Sequence, residues 1–303
     1  MQENYISELQ KICGAHLVSK NVPLKEHTSI KVGGNVSIMV EPDTIEKVRS
    51  CITLLQKNNI PFFVMGNGSN LIFSDEDYDG VIIKICSKLS KIEVDGEYIT
   101  AEAGALLSKV ASVALENSLT GLEFASGIPG TIGGAAFMNA GAYDGEMKKV
   151  IVETLNIDGT GKLVKLRGEE HDFSYRCSRI QKEGLICLKV VLKLEKGDPK
   201  EIKAKMMELN NRRREKQPLD LPSAGSVFKR PEGYFAGKLI EDCGLRGFSI
   251  GGAQISSKHC GFIVNTGNAT SDDIIRLIEH IQKTVHEKTG VLLEPEVRVI
   301  RGK

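Results

Sequence analysis

The sequence predicts an α+β chain of two domains. Strand-like and helix-like patterns mix without regular βαβ alternation, so no doubly wound parallel sheet is implied. The 303 residues are about two domains' worth. The texture also changes between Asp198 and Pro218, where a charged helix gives way to Gly/Ser/Pro-rich sequence.

Asp43 opens the first clear helix. Ile45, Val48, Ile52 and Leu55 recur at helical spacing up to Asn58-Asn59. Pro61-Phe62-Phe63-Val64-Met65 reads as a short buried strand ending at Gly66, and Val81 to Ile85 as another. Ile92-Glu93-Val94 and Tyr98-Ile99-Thr100 flank Asp95-Gly96, a hairpin signal. Leu106, Leu107, Val110, Ala111 and Ala114 form the stripe of a second helix. A second hairpin spans Val150 to Leu166 around Asp158-Gly159-Thr160-Gly161, and Leu185 to Leu194 is one more strand. Asp198-Pro199 opens a helix with Ile202, Met206 and Leu209 on its apolar stripe and Arg212 to Lys216 at its basic end. The domain boundary falls near this helix. Beyond it come a helix near Ala236–Cys243, short strands, and a helix from about Ser271 to Lys288 with Gly290 as its stop.

Lys and Arg total 40 against 39 Asp and Glu, a net charge of +1, which argues against binding to nucleic acid by phosphate neutralisation. No apolar run approaches the ~18 residues of a membrane span, and the first residues show no basic-then-apolar secretory pattern. The seven cysteines include no pair closer than ten residues, and the six histidines form no metal-binding cluster. These features predict reduced thiols, no metal and a cytoplasmic location.

Glycine is the unusual component, with 31 residues. Gly66-Asn67-Gly68-Ser69-Asn70-Leu71 resembles the start of a dinucleotide fingerprint. Ile72-Phe73-Ser74-Asp75 after it is extended, however, and not the helix which that motif needs. The segment therefore reads as an anion-binding loop, with Ser69 and Asn70 adding side-chain donors, or as a plain turn between strands. The second segment runs from Gly127-Ile128-Pro129-Gly130-Thr131-Ile132-Gly133-Gly134-Ala135 to Tyr143 and lacks the Gly-Lys-Ser/Thr of a phosphate-binding P-loop. Its glycines permit close backbone approach to a large flat or anionic ligand, or a tight turn under a helix. Two such segments about 60 residues apart suggest one dinucleotide-sized cofactor.

The run Gly127 to Met147, with Asn139-Ala140-Gly141-Ala142-Tyr143, resembles the flavin-binding signature of the UDP-N-acetylenolpyruvoylglucosamine reductase (MurB) family. Six further runs match in the family's order. They are Thr28 to Gly34 as an opening strand and turn, Gly66 to Leu71 as a phosphate loop, Phe173 to Ser178, Ser223 to Lys229, and Gly261 to Asn265 together with Leu293 to Arg298. Asn35-Val36 stands where Pro-Ala is common, and Arg230 where Asn is common. The C-terminal part has no room for the extra tyrosine-bearing loop of the longer class, so the chain resembles the compact class.

The resemblance implies a two-subdomain FAD-binding module of the PCMH (vanillyl-alcohol-oxidase-like) type over residues 1–205, with subdomains of about 1–88 and 89–205. A C-terminal α+β substrate-binding domain over 206–303 follows. The resemblance also implies non-covalent FAD and NADPH, small-molecule substrates, and no nucleic-acid or membrane partner. The implied reaction is reduction of an enolpyruvyl ether of a UDP-sugar, in peptidoglycan precursor synthesis. Arg176 is then expected to grip the substrate carboxylate, Ser226 to donate a proton and Glu296 to stabilise developing charge. Gly66 to Leu71, Gly127 to Thr131, Gly133, Gly134 and Ala135 are expected to hold FAD. Asn139, Arg213, Lys216, Lys229, Arg230 and His259 are expected to contact the substrate. Two other readings stay open: a related flavin oxidase, against which the absence of a tethering His in the first glycine segment counts, and a non-catalytic nucleotide-sugar binder.

Overall fold

The computed structural model describes residues 2–302. The chain forms two compact units, neither continuous in sequence. The first takes residues up to Lys20, then Ile38–Asn67 and Gly80–Arg212. The second takes Asn21–Ser37, Gly68–Asp79 and everything from Arg213 onward.

In the first unit, helix α1 (Gln2–Cys13) packs on α2 (Ile45–Lys57). Helix α1 is absent from the expectations above, although Tyr5, Ile6, Leu9, Ile12 and Cys13 recur at helical spacing. The cap of α2 is Thr44 rather than Asp43, because the Thr44 hydroxyl accepts from the Lys47 N–H at 3.2 Å. The Cys13 and Cys51 sulfurs meet in the buried seam between the helices at 3.3 Å, a proximity that their spacing of 38 residues hid. A four-stranded sheet runs in the order Val18–Pro23, Asn35–Val40, Tyr78–Lys84, Phe62–Met65, its last pair parallel. A five-stranded antiparallel sheet runs Leu163–Arg167, Ile151–Ile157, Ile186–Lys193, Tyr98–Glu102, Ile92–Asp95. Both predicted hairpins are in it. The Asp158 carboxylate closes the second by accepting from the Thr160 and Lys162 N–H groups and the Thr160 hydroxyl. Those bonds, the hydroxyl's first, hold its carboxyl below the ordinary range. Helices α3 (Leu107–Glu116), α4 (Ile132–Phe137) and α5 (Arg179–Lys182) complete this unit's core, and α6 (Pro199–Lys216) follows the last strand.

In the second unit, Ser223–Ser226, Phe262–Asn265, Ala253–Ile255 and Ser249–Ile250 form an antiparallel sheet in that order. Helices α7 (Ala236–Asp242) and α8 (Ser271–Thr289) bury Leu239, Ile240, Ile274, Leu277 and Ile281 in its core. Gly290 ends α8 at φ +74, as its sequence position predicts. Arg298–Ile300 pairs in parallel with Leu71–Phe73. The last strand thus begins after Val297. Thr28 to Gly34, expected to open with a strand, is a turn that precedes the strand at Asn35. Among the described residues no helix is long and apolar enough to cross a membrane.

Two side chains fix the early segments into the second unit. Asn265, 4% exposed, donates its amide to the Ile30 and Lys31 carbonyls at 3.1 and 3.3 Å, and its oxygen accepts from the Gly267 and Ala269 N–H groups. Asp75 accepts from the Ser271 N–H and hydroxyl at the start of α8. Replacing Asn265 with Ala removes the partner of four backbone groups, the buried Ile30 carbonyl among them. The expected loss is about 2–4 kcal/mol of unfolding free energy, read by urea denaturation at unchanged m-value. A loss below about 0.5 kcal/mol would show that the turn at Ile30 is held by apolar packing alone.

Candidate active site

The expected site residues are divided between the two compact units. In the first unit, α4 begins inside the second glycine segment, where the sequence reading saw only loop or turn. Thr131 caps it, its hydroxyl accepting from the Gly134 N–H at 3.3 Å. Gly133 faces away from solvent. Its N–H donates to the Ala103 carbonyl at 2.9 Å, and a Cβ there would lie 2.6 Å from the Ala103 Cβ. Gly133 is therefore a packing glycine that seats α4 on the end of the Tyr98–Glu102 strand. Ala135 is likewise buried, at 4%. Both were expected to touch the cofactor, and close packing behind the helix corrects that. Gly134 is exposed, and a Cβ on it would meet only the Thr131 hydroxyl, at 3.5 Å.

The first glycine segment comes up to the second. A Cβ on Gly66 would sit 2.4 Å from the Thr131 hydroxyl, and the Asn67 amide approaches the Pro129 carbonyl at 3.5 Å. Neither Gly66 to Leu71 nor Gly127 to Ala135 contains an Asp or Glu. The open space beside Gly134, without side-chain bulk or negative charge, fits the close approach of the FAD diphosphate. Gly127, Ile128 and Gly130 lie in the same turn, where the Gly130 carbonyl accepts from the Leu107 N–H at 2.9 Å.

Arg176 is presented by a two-residue turn closed by reciprocal Ser174 and Cys177 backbone bonds, both 3.1 Å. Its backbone is left-handed at φ 54, a conformation costing a non-glycine residue about 1–2 kcal/mol. The guanidinium donates to the Gly141 carbonyl at 3.1 Å. Asn139, expected to touch substrate, is 1% exposed and bonded internally. Its amide donates to the Ser174 carbonyl and the Glu146 carboxylate, both at 3.0 Å, and its oxygen accepts from the Lys148 N–H at 2.9 Å. At the basic end of α6, Arg212 stacks over the Tyr143 ring at 4.9 Å.

In the second unit, a bulge with Gly225 at φ +82 re-aims the strand so that Ser226 pairs with Phe262. The Ser226 hydroxyl donates to the Phe228 carbonyl over a long 3.3 Å. Glu296, 70 residues later, is brought alongside. Phe228 bridges to Pro295, and the Glu296 N–H donates to the Val227 carbonyl at 2.7 Å. Leu293 and Val297 are buried and Glu296 is half-buried. Asn70, expected to contact the cofactor, donates its amide to the Glu296 carbonyl at 3.1 Å, and its own carbonyl accepts from the Arg298 N–H. Gly68 accepts from the Ser29 N–H, Ser69 is half-buried, and Leu71, largely buried, starts the parallel strand.

His259 lies near Ser226, since a Cβ on Gly261 would be 3.0 Å from the imidazole and 3.7 Å from the Ser226 hydroxyl. Its Nδ1 accepts from the Gly261 N–H at 3.1 Å. Burial, reinforced by the Arg246 and Lys216 charges, depresses its pKa. Lys258 ties this loop to the Arg214 carbonyl at the end of α6, beside half-buried Arg213 and exposed Lys216. Lys229 pairs with Glu294, and Arg230 stacks over the Phe235 ring at 4.0 Å. The sequence reading missed Asn70, Asn139 and Gly225 as placing residues; only the SAGS run hinted at the last.

Two family models match this chain, the FAD binding domain over residues 36–167 and the C-terminal domain of UDP-N-acetylenolpyruvoylglucosamine reductase over 217–300. The UDP-N-acetylenolpyruvoylglucosamine reductase of Caldanaerobacter subterraneus subsp. tengcongensis is 51% identical over 303 residues, the full length of both chains. The crystal structure of the MurB enzyme from Thermus caldophilus aligns at TM-score 0.80 and 34% identity, covering 92% of this chain and 98% of that one. A glucose dehydrogenase, Phl p 4.0202, shares the fold alone, at TM-score 0.50 and 17% identity, over 65% of this chain and 44% of its own. With its cofactor and C-terminal regions both matched, and half its residues shared along the whole length of a relative, the chain belongs to the UDP-N-acetylenolpyruvoylglucosamine reductase family of FAD-dependent oxidoreductases.

Proposed function

We propose an assignment of residues to the steps of this family's reaction. The chain reduces UDP-N-acetylenolpyruvoylglucosamine with FAD as cofactor. The proposal adds NADPH as hydride source and a role for each side chain. Bound FAD supplies the hydride chemistry. Gly134 and its neighbours hold the cofactor diphosphate by main-chain contact. Arg176 holds the enolpyruvyl carboxylate through paired hydrogen bonds, where negative charge gathers once the terminal carbon is reduced. Ser226 gives its proton to the adjacent carbon, and Glu296 stabilises the charge until the proton arrives. Arg213 and Lys216 hold the UDP diphosphate, with Lys229, Arg230 and His259 completing the sugar-nucleotide contacts. His259 serves as a neutral donor through Nε2, because its Nδ1 is engaged by Gly261.

The observation that carries this assignment is the meeting of Ser226 and Glu296 beside one bulge, although 70 residues separate them. We assign the FAD-binding module to residues 1–205 and the substrate-binding domain to 206–303, a functional division distinct from the packing units. A cytoplasmic location is part of the same reading, supported by seven free thiols.

Three measurements test the assignment. Gly134→Val should keep the melting temperature within a few degrees yet purify largely without flavin, whereas Gly133→Val should lose stability as well, through collision with Ala103. Full flavin content in Gly134→Val would remove that turn from the cofactor site. The Arg213→Ala/Lys216→Ala pair should raise KM for the UDP-sugar by about 10–100-fold and leave flavin reduction by NADPH unchanged. An unaltered KM would return the run to a solvated helix end. Ser226→Ala should accept hydride from NADPH normally but reoxidise with the enolpyruvyl substrate about 10²–10⁴-fold more slowly, by stopped-flow absorbance. A wild-type reoxidation rate would pass the acid role to Glu296 or to water.

A further inference from the structure

We propose that Asn139 is a positioning residue for Arg176, setting the guanidinium's place relative to the glycine-rich segment through a strap made of two side chains. The inference rests on the reading of Arg176 as the carboxylate-holding group.

The Arg176 turn is fastened on both sides to the end of α4. On one side the Asn139 amide donates to the Ser174 carbonyl at 3.0 Å. On the other, the Ser178 hydroxyl donates to the Phe137 carbonyl at 2.6 Å. Asn139 and Ser178 are 1% and 0% exposed, so the donor of each bond is shielded from water. Between the anchors lie Tyr175, Arg176 and Cys177 alone. The guanidinium then returns to Gly141, two residues past Asn139. Backbone and side chain of Arg176 are thus both referenced to residues 137–141.

That stretch is itself rigidly placed. It follows α4, which Thr131 caps and Gly133 seats on Ala103. A short chain of bonds therefore runs from the proposed cofactor turn to the proposed carboxylate-binding group without leaving the first unit. Asn139 also spans the neighbouring hairpin through Glu146 and Lys148, and it holds a left-handed backbone at φ 45 to do so. An asparagine suits this place because its side chain supplies two donors and an acceptor on a short stem, and it tolerates the left-handed region. The strap also holds Arg176 in its own left-handed conformation, which a free turn would relax.

The test compares Asn139→Gly, which keeps the left-handed backbone accessible and removes only the amide, with Arg176→Ala and the double variant. All are made as flavin-loaded protein. Asn139→Gly is expected to be reduced by NADPH within about twofold of wild type and to reoxidise with the enolpyruvyl substrate about 10–100-fold more slowly. In the double variant, reoxidation should be no slower than in Arg176→Ala, because the strap acts through that side chain. In the flavin-loaded protein without substrate, amide exchange at Cys177 should accelerate at least tenfold in Asn139→Gly, a readout independent of turnover. Ser178→Ala, which cuts the second anchor, should show the same pattern and decides the matter if Asn139→Gly does not retain flavin. Wild-type reoxidation in the strap variants, an additive loss in the double variant, or unchanged exchange at Cys177 would overturn the proposal. If Arg176→Ala itself reoxidised normally, the assignment of Arg176 would fall and take this proposal with it. A slow Arg176→Ala beside a wild-type Asn139→Gly would remove the strap alone.

Discussion

The contact of Gly133 with Ala103 is the constraint on which the cofactor half of the molecule depends. Here a helix start lies directly on the end of a strand, main chain against main chain, with a bond of 2.9 Å and no room for a methyl group. Because α4 cannot be displaced along that strand, the turn before it and the residues after it inherit fixed positions. The turn leaves Gly134 open outward, and the far end supplies Phe137, Asn139 and Gly141 as attachment points for Arg176. Glycine is used for opposite purposes at adjacent positions, inward for packing at 133 and outward for bare backbone at 134.

Side-chain amides connect the remainder. Asn70 ties the first glycine segment to the backbone of Glu296, and Asn265 holds the turn at Ile30 and Lys31. In each case one planar group satisfies backbone atoms distant in sequence, and Asn139 and Asn265 do so from buried side chains. The side chains proposed to act on the substrate are simple: a serine on a bulge, an arginine on a left-handed turn, and a glutamate whose backbone lies beside the serine's strand.

The strongly periodic elements were legible in the sequence. Helices α2, α3, α6 and α8 and both hairpins carry enough apolar repetition or turn chemistry to mark them within a residue or two. Helix α4 was not, since a run of Ile-Gly-Gly-Ala-Ala has poor helix propensity and forms only because tertiary packing holds it. The bracing bonds of Asn70 and Asn139 were hidden for a related reason: a polar side chain looks the same in sequence whether it faces a ligand or holds the backbone behind it. Ser226, Arg176 and Glu296 stood out only through their motif context, because none carries a spacing signal of its own. Nor does the apolar character of Ile30, Val32 and Ile72 say which core they join.

That last feature bears on how the chain is made. The core of the second unit needs Ile30, Val32 and Ile72 from the beginning of the chain and Leu293 and Val297 from its end. The bond between Asn265 and Ile30 alone closes a separation of 235 residues. During synthesis the early segments emerge first and have no partner until nearly all the rest has been translated. Loop closure over so long a span costs only about 0.6 kcal/mol for each doubling, so the finished state is little penalised. The cost falls on time instead. Apolar segments must wait, exposed and unpaired, for the tail that will cover them, and the order of folding in this unit runs against the order of translation.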